Sequence, residues 1–180
     1  MDATLIFGTG VRPAVTADGI ERFYPFPNGA GANDWLDLAA AIDWGRGKPV
    51  YAHFRVTTTF AGAAGNTLRF VVAVDSVTNF ANTLTNPGLF IVRGPQLVTA
   101  GLVATNAGPS GNVTTWGLDV DLVLPPLNTL VIPNTTDVGA QFLTLGFQAT
   151  AAATDWTAGG VDAWLSTVPH AVRQPNYQRA

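Results

Sequence analysis

The chain contains no cysteine, which excludes a disulfide framework and any thiolate-ligated metal site. A cysteine-free chain fits any redox compartment. Charge is also scarce. Asp, Glu, Lys and Arg make up 12% of the 180 residues, about half the roughly 25% of an ordinary soluble domain. Lysine occurs once, at Lys48, and the net charge is −3. Phosphate recognition needs clustered Lys and Arg, so no nucleic-acid partner is expected. Long apolar runs are missing too. Stretches such as Phe70 to Val74 fall far short of the roughly 18 residues that span a bilayer, so no membrane span is expected. The N-terminus, MDATLIFGTGVRP, has no basic region before its short apolar piece and predicts no signal peptide.

Groups for catalysis are few. Histidine occurs twice, at His53 and His170, whereas a metalloenzyme on a β-sandwich wants clustered His with a carboxylate. Ser76, Ser110 and Ser166 have no suggestive neighbours, and no G-x-S-x-G elbow is present. WGRGKP (44–49) lacks the Ser or Thr and the following helix of a phosphate loop, so it reads as a tight turn. Asn112-Val-Thr114 and Asn134-Thr-Thr136 match the glycosylation pattern but are expected to carry nothing without a signal peptide. Together these features predict no enzyme activity, no metal and no cofactor.

What the chain has is apolar residues, 47% of the total, arranged with a period of two. A chain of this length suits one domain and buries about 70% of the surface that its unfolded form exposes. Val50, Ala52, Phe54 and Val56 share one face of a predicted strand, with Tyr51, His53, Arg55 and Thr57 on the other. Leu68, Phe70, Val72 and Val74 form a second apolar face. FAGAAGN (60–66) lies between the two runs and predicts a hairpin. Further strands are expected at 89–93, 96–103, 112–124, 140–151 and 159–168, with a proline corner at 125–133. WLDLAAAIDWG begins with strand-like alternation, and a short helix over Ala39 to Ile42 is an alternative there.

About eight strands with almost no helical periodicity predict an all-β fold, an antiparallel sandwich or jelly roll. The expected organisation is an extended N-terminal arm over 1–34, interrupted by Pro13, Pro25 and Pro27, a jelly-roll domain over 35–168 and a C-terminal arm over 169–180. A strand at Ala3 to Phe7 is plausible within the first arm.

Two constellations bear on function. Asp119 and Asp121 share a strand face and suit either acid/base or cation chemistry or a solvated surface, and the surface reading is favoured. Among the five tryptophans, Trp116 falls on an apolar stripe. Trp164 falls opposite Val161, Ala163 and Leu165, which suits an interface contact better than a sugar platform. Few charges and many small polar residues also suit a chain that hides part of its surface in an assembly.

The run GKPVYAHFRVTTTFAGAAGNTLRFVVAVDS, followed by GPQLVTAGLV, proline corners and AQFLTLGFQATAAATDWTAGGVDAWLST, resembles the jelly-roll capsid cement, or decoration, proteins of tailed bacteriophages, of the type found on Bordetella phage heads. The resemblance covers residues 47 to 167. The long proline-rich N-terminus departs from it, as does QFLTLGF, where a more basic strand is expected. The resemblance implies a non-enzymatic virion protein, made in the host bacterial cytoplasm, on the outer surface of an icosahedral head. It would bridge neighbouring major capsid proteins and self-associate as dimers or trimers at local symmetry axes. Candidate interface residues are Leu5, Phe7, Phe23, Tyr24, Tyr51, His53, Arg55, Trp164 and Tyr177. The rival reading is a carbohydrate- or receptor-binding jelly-roll module of a phage tail fibre, and a third is an enzyme with His53 converging on Asp119 or Asp121.

Overall fold

A computed structural model of the chain describes residues 5–26, 35–37, 49–75, 89–104, 106–107, 113–115, 117–125 and 142–167. The possible helix at 39–42, the turn at 45–47, most of the 125–133 corner and the arm at 169–180 lie outside the described residues. So do His170, Tyr177, Trp44 and Trp116.

In chain order the strands are β1 (Leu5–Val11), β2 (Arg22–Pro25), β3 (Leu36–Asp37), β4 (Val50–Ala61), β5 (Thr67–Asp75) and β6 (Leu89–Arg93). Then come β7 (Leu97–Val98), β8 (Asn106–Ala107), β9 (Val113–Thr115), β10 (Asp119–Leu124), β11 (Phe142–Thr150) and β12 (Ala158–Ser166). They form an all-β sandwich of two antiparallel sheets. The first runs β1-β12-β4-β10 and the second β2-β11-β5-β6. Short β3 extends the second sheet along β11, β7 does so along β5, and β8 and β9 make a separate ribbon.

The alternation seen in the sequence explains the layering. Val50, Ala52, Phe54 and Val56 of β4 point inward with Val161, Ala163 and Leu165 of β12 and Leu122 and Leu124 of β10. Facing them are Leu68, Phe70, Val72 and Val74 of β5 and Leu143, Leu145, Phe147 and Ala149 of β11. Phe54 and Phe70, from opposite sheets, stack with ring centroids 4.7 Å apart. Each such side chain contributes about 1.5–3 kcal/mol when fully buried.

Three expectations need correction. First, β4 and β5 are not a hairpin. β4 pairs with β12 and β10, whereas β5 pairs with β11, β6 and β7. The intervening loop crosses from one sheet to the other, so the two apolar faces meet across the core rather than lying side by side. The crossing is fixed by Asn66, which is fully buried. Its Nδ2 donates to the Thr154 carbonyl at 2.7 Å, and its Oδ1 accepts from the Ala152 N–H at 3.0 Å.

Second, the N-terminal segment is not an arm over 5–26. β1 pairs with β12 and β2 with β11, so each sheet takes one strand from it. Phe7, Val15 and Phe26 enter the main core, and these large apolar side chains outweigh the prolines. Pro25 ends an edge strand, where a missing N–H is tolerated. Third, 96–103 is not one strand. β7 is two residues long, and a 3₁₀ turn at Thr99–Gly101 then carries Leu102 into the core.

The outer face of the second sheet has its own small apolar cluster, Phe23 with Val71 and Ala73, against which Phe142 packs. Gly146 makes room for it. A Cβ at that position would lie 2.4 Å from Phe23 Cε2 and 2.7 Å from the Tyr24 carbonyl oxygen. The ring of Phe23 thus lies across β11 where no side chain projects.

Candidate interaction face

Direct opposition across antiparallel strands puts side chains on the same face, and the register of the first sheet fixes its outer surface row by row. Ile6 opposes Trp164, which opposes His53, which opposes Asp121. One row along, Asp162 opposes Arg55, which opposes Asp119. One row the other way, Ser166 opposes Tyr51, which opposes Val123. Tyr51, His53 and Arg55 of β4 and the distant Trp164 of β12 are therefore neighbours.

Their side chains interlock. The His53 and Trp164 rings stack at 5.1 Å and 19°, and Tyr51 lies beyond His53 at 6.1 Å. The Arg55 guanidinium sits 5.6 Å from the Trp164 ring centroid, within cation–π range. Arg55 Nε donates to Asp119 Oδ1 at 3.0 Å. His53 Nδ1 lies 2.7 Å from Asp121 Oδ1, which makes Nδ1–H the donor to the carboxylate. Asp162 Oδ1 accepts from the Gly10 N–H at 2.7 Å. Gly10 has φ +64, a left-handed conformation that glycine adopts without strain. This contact ties the edge strand β1 to the same cluster.

The His53 side chain is only 2% exposed although it projects from the outer face. Trp164 and Tyr51 cover it. A histidine held by a carboxylate is a familiar catalytic pair, and here the Trp164 and Tyr51 rings lie against the imidazole. The chemistry that the face offers is recognition: flat aromatic area, a guanidinium held in place and partly open carboxylates. Ile6 and Val123 border it from opposite edges, 64% and 58% exposed.

The remaining candidates divide. Leu5 pairs with Leu165 through the backbone of β1. Phe7 and Phe23 are buried within the chain and are not surface contacts, a correction to the expected interface. Tyr24 is half-buried against the main core, and burial pushes its hydroxyl pKa up. Tyr177 is outside the described residues. Sequence reasoning missed Ile6 and Val123; for Asp119 and Asp121 it favours a solvated surface and keeps convergence on His53 as an alternative, and the structure brings His53 to Asp121. Their strand parity was available, but their partners depend on register between strands far apart in the chain.

Elsewhere the polar groups make local clamps. Arg22 donates to both carboxylate oxygens of Asp18, which also accepts from the Ile20 N–H. The Arg22 hydrogen bond, helped by that N–H, lowers the Asp18 pKa to about 2. Gln148 donates to Glu21 at 2.9 Å, and Arg69 to Gln96 at 3.1 Å. Among the described residues no group of three or more His, Cys, Asp or Glu is placed to hold a metal ion, and no helix is long and apolar enough to cross a membrane.

No protein-family model, characterised protein or solved structure matches this chain significantly. The likeness to capsid cement proteins therefore stands on the quoted strands alone.

Proposed function

We propose that the chain is a jelly-roll capsid cement protein of a tailed bacteriophage, bound to the outside of the head and bridging neighbouring major capsid proteins. The observation that carries this reading is the order in which the chain wraps its two sheets. Counting only the eight strands of the two main sheet paths, in chain order, the first sheet runs 1-8-3-6 and the second 2-7-4-5. Chain neighbours thus lie mostly in opposite sheets, and the first and last strands are partners. That order supports a jelly roll, an architecture that viral capsid and lectin domains share. Fold alone does not assign function. The resemblance over 47–167, the low charge and the aromatic outer face of the first sheet favour a structural partner over a reaction.

In this reading each copy stabilises the shell through buried interface, and many copies reinforce one another. Self-association as a dimer or trimer belongs to the same proposal, as do the absence of catalysis and a location on the virion. The tail-fibre reading puts a sugar on the same aromatic face, and capsid binding against glycan binding separates the two.

Co-sedimentation of the purified chain with undecorated capsids of its own phage tests the proposal. Saturable binding at a fixed ratio to the major capsid protein is the expected result. Absence of binding to those capsids, with specific signals on a glycan array, would replace it with the tail-fibre reading.

A further inference from the structure

We propose that the outer face of the first sheet is the docking face, and that its occupant is a capsid-protein surface with an apolar centre flanked by Lys or Arg side chains. This rests on the cement reading and names the face and the partner chemistry.

Exposure gives the first argument. Outward positions on a solvated sheet are normally polar. Here Ile6 and Val123, at opposite edges of the same sheet, leave large β-branched side chains in water, 64% and 58% exposed. The aromatic rings of Trp164 and Tyr51 belong to the two strands between them, β12 and β4. Four strands span about 14 Å from edge to edge, so one continuous ridge joins the two aliphatic ends. Trp, Tyr and Arg are the residue types that dominate binding hot spots. These three are already fixed by stacking and ion pairing, so little side-chain freedom remains to be lost on binding.

Charge gives the second argument. Among the described residues of these rows, Asp119, Asp121 and Asp162 stand with one formal cation, Arg55, and Asp119 and Asp121 are partly open to solvent. The face therefore carries excess negative charge beside its apolar ridge. A basic partner complements it. A second copy of this chain does not, because a two-fold contact would set the acidic face against itself. The ridge serves as the energetic centre of a contact of ordinary size, roughly 800 Å² per partner.

The test compares binding of the full chain and its variants to undecorated capsids of its own phage by sedimentation, at low and high salt. Val123→Lys and Val123→Glu both remove the aliphatic contact but change charge in opposite directions. The expected result is a loss of about tenfold or more for Val123→Lys, as for a hot-spot residue, and a clearly smaller loss for Val123→Glu. Native binding should weaken as salt rises. Ile6→Ser, at the far edge, should weaken binding without altering the salt dependence. It stands in for Val123→Lys if that variant has a shifted urea midpoint. Variants that bind like the native chain would overturn the docking face and leave the cement reading in place. A larger loss for Val123→Glu than for Val123→Lys would overturn the basic partner. Conversion of a native oligomer to monomers by Val123→Lys, without capsids present, would assign the face to self-contact and overturn the proposal. A native chain that fails to sediment with capsids would remove the cement reading and this inference with it.

Discussion

Replacing Asn66 should loosen the crossing between the two sheets, with a magnitude that follows from its contacts. The side chain is fully buried and makes two bonds, one donated to the Thr154 carbonyl at 2.7 Å and one accepted from the Ala152 N–H at 3.0 Å. Both partners belong to the loop between β11 and β12, and Ala152 and Thr154 are themselves exposed. Water can therefore replace the lost partners in part, and each bond should count at its net value of about 0.5–1.5 kcal/mol rather than at a full desolvation penalty. Asn66→Ala should then lower stability by about 2 kcal/mol, a large share of the roughly 5–15 kcal/mol typical of a domain. In urea the midpoint should fall with the slope unchanged. Asn66→Asp sharpens the test. The carboxylate keeps an acceptor for the Ala152 N–H but turns a second oxygen toward the Thr154 carbonyl. Burial and that carbonyl raise the carboxyl pKa in the folded variant above its unfolded value of about 3.9. The folded variant then binds a proton more readily than the unfolded chain. Its deficit relative to the native protein is full above the folded pKa and shrinks as pH falls through it. Equal stability of Asn66→Asp and the native protein at neutral pH, or a gap that does not narrow on acidification, would refute the bridging role assigned to Asn66.

Gly146→Ala should cost about 1–3 kcal/mol by overpacking, because its Cβ would overlap the Phe23 ring and the Tyr24 carbonyl. Thermal melts of Gly146→Ala alone and combined with Phe23→Ala check this. Relief of the clash in the double variant is expected, and strict additivity would contradict it. The Asp18 carboxyl should titrate near 2 by NMR and move back toward 3.8 in Arg22→Gln, since the Arg22 hydrogen bond is the main cause of its depression. Because the folded pKa is the lower one, the clamp's support is present above the unfolded value and is lost as pH falls through the folded one. An Asp18 midpoint that ignores Arg22→Gln would show that the clamp does not hold in solution.

Period-two alternation identifies which side chains point inward on β4, β5 and β12, and there the sequence and the structure agree. It could not tell which strand lies beside which. Two successive strands with apolar inner faces satisfy the same pattern as a hairpin in one sheet or as walls facing each other across a core. Only the second occurs for β4 and β5. The strand expected at Ala3 to Phe7 overlaps β1, but proline and glycine hid β2 and the pairing of both strands into the sandwich. Phe7, Phe23 and Phe26, all buried, were the countervailing signal. For the candidate face, parity alone put Tyr51, His53 and Arg55 on one side of β4 and Trp164 on the outer side of β12. The bond from His53 to Asp121 spans 68 positions of sequence and depends on register, which no local pattern encodes.

Residue choice on this face separates what the fold requires from what it does not. The core closes through the inner side chains of β4 and β12, so the outer side of the first sheet needs only residues that tolerate a pleated surface. Thr58, which opposes Gly160 toward the far end of β4, is exposed and meets that need. A histidine buried at an outer position is a different matter. Taking a polar ring out of water is unfavourable unless its polar atoms are bonded, and here Asp121 supplies a bond while Trp164 and Tyr51 supply the cover. The same stack holds the Trp164 ring in place beside Arg55, which Asp119 holds in turn. Each member limits the rotamers of the next, so the surface is ordered before anything binds to it. Such order contributes little to a fold whose core lies on the other side of the sheet. It lowers the entropy lost on binding a partner, and that is the physical ground for placing recognition on this face.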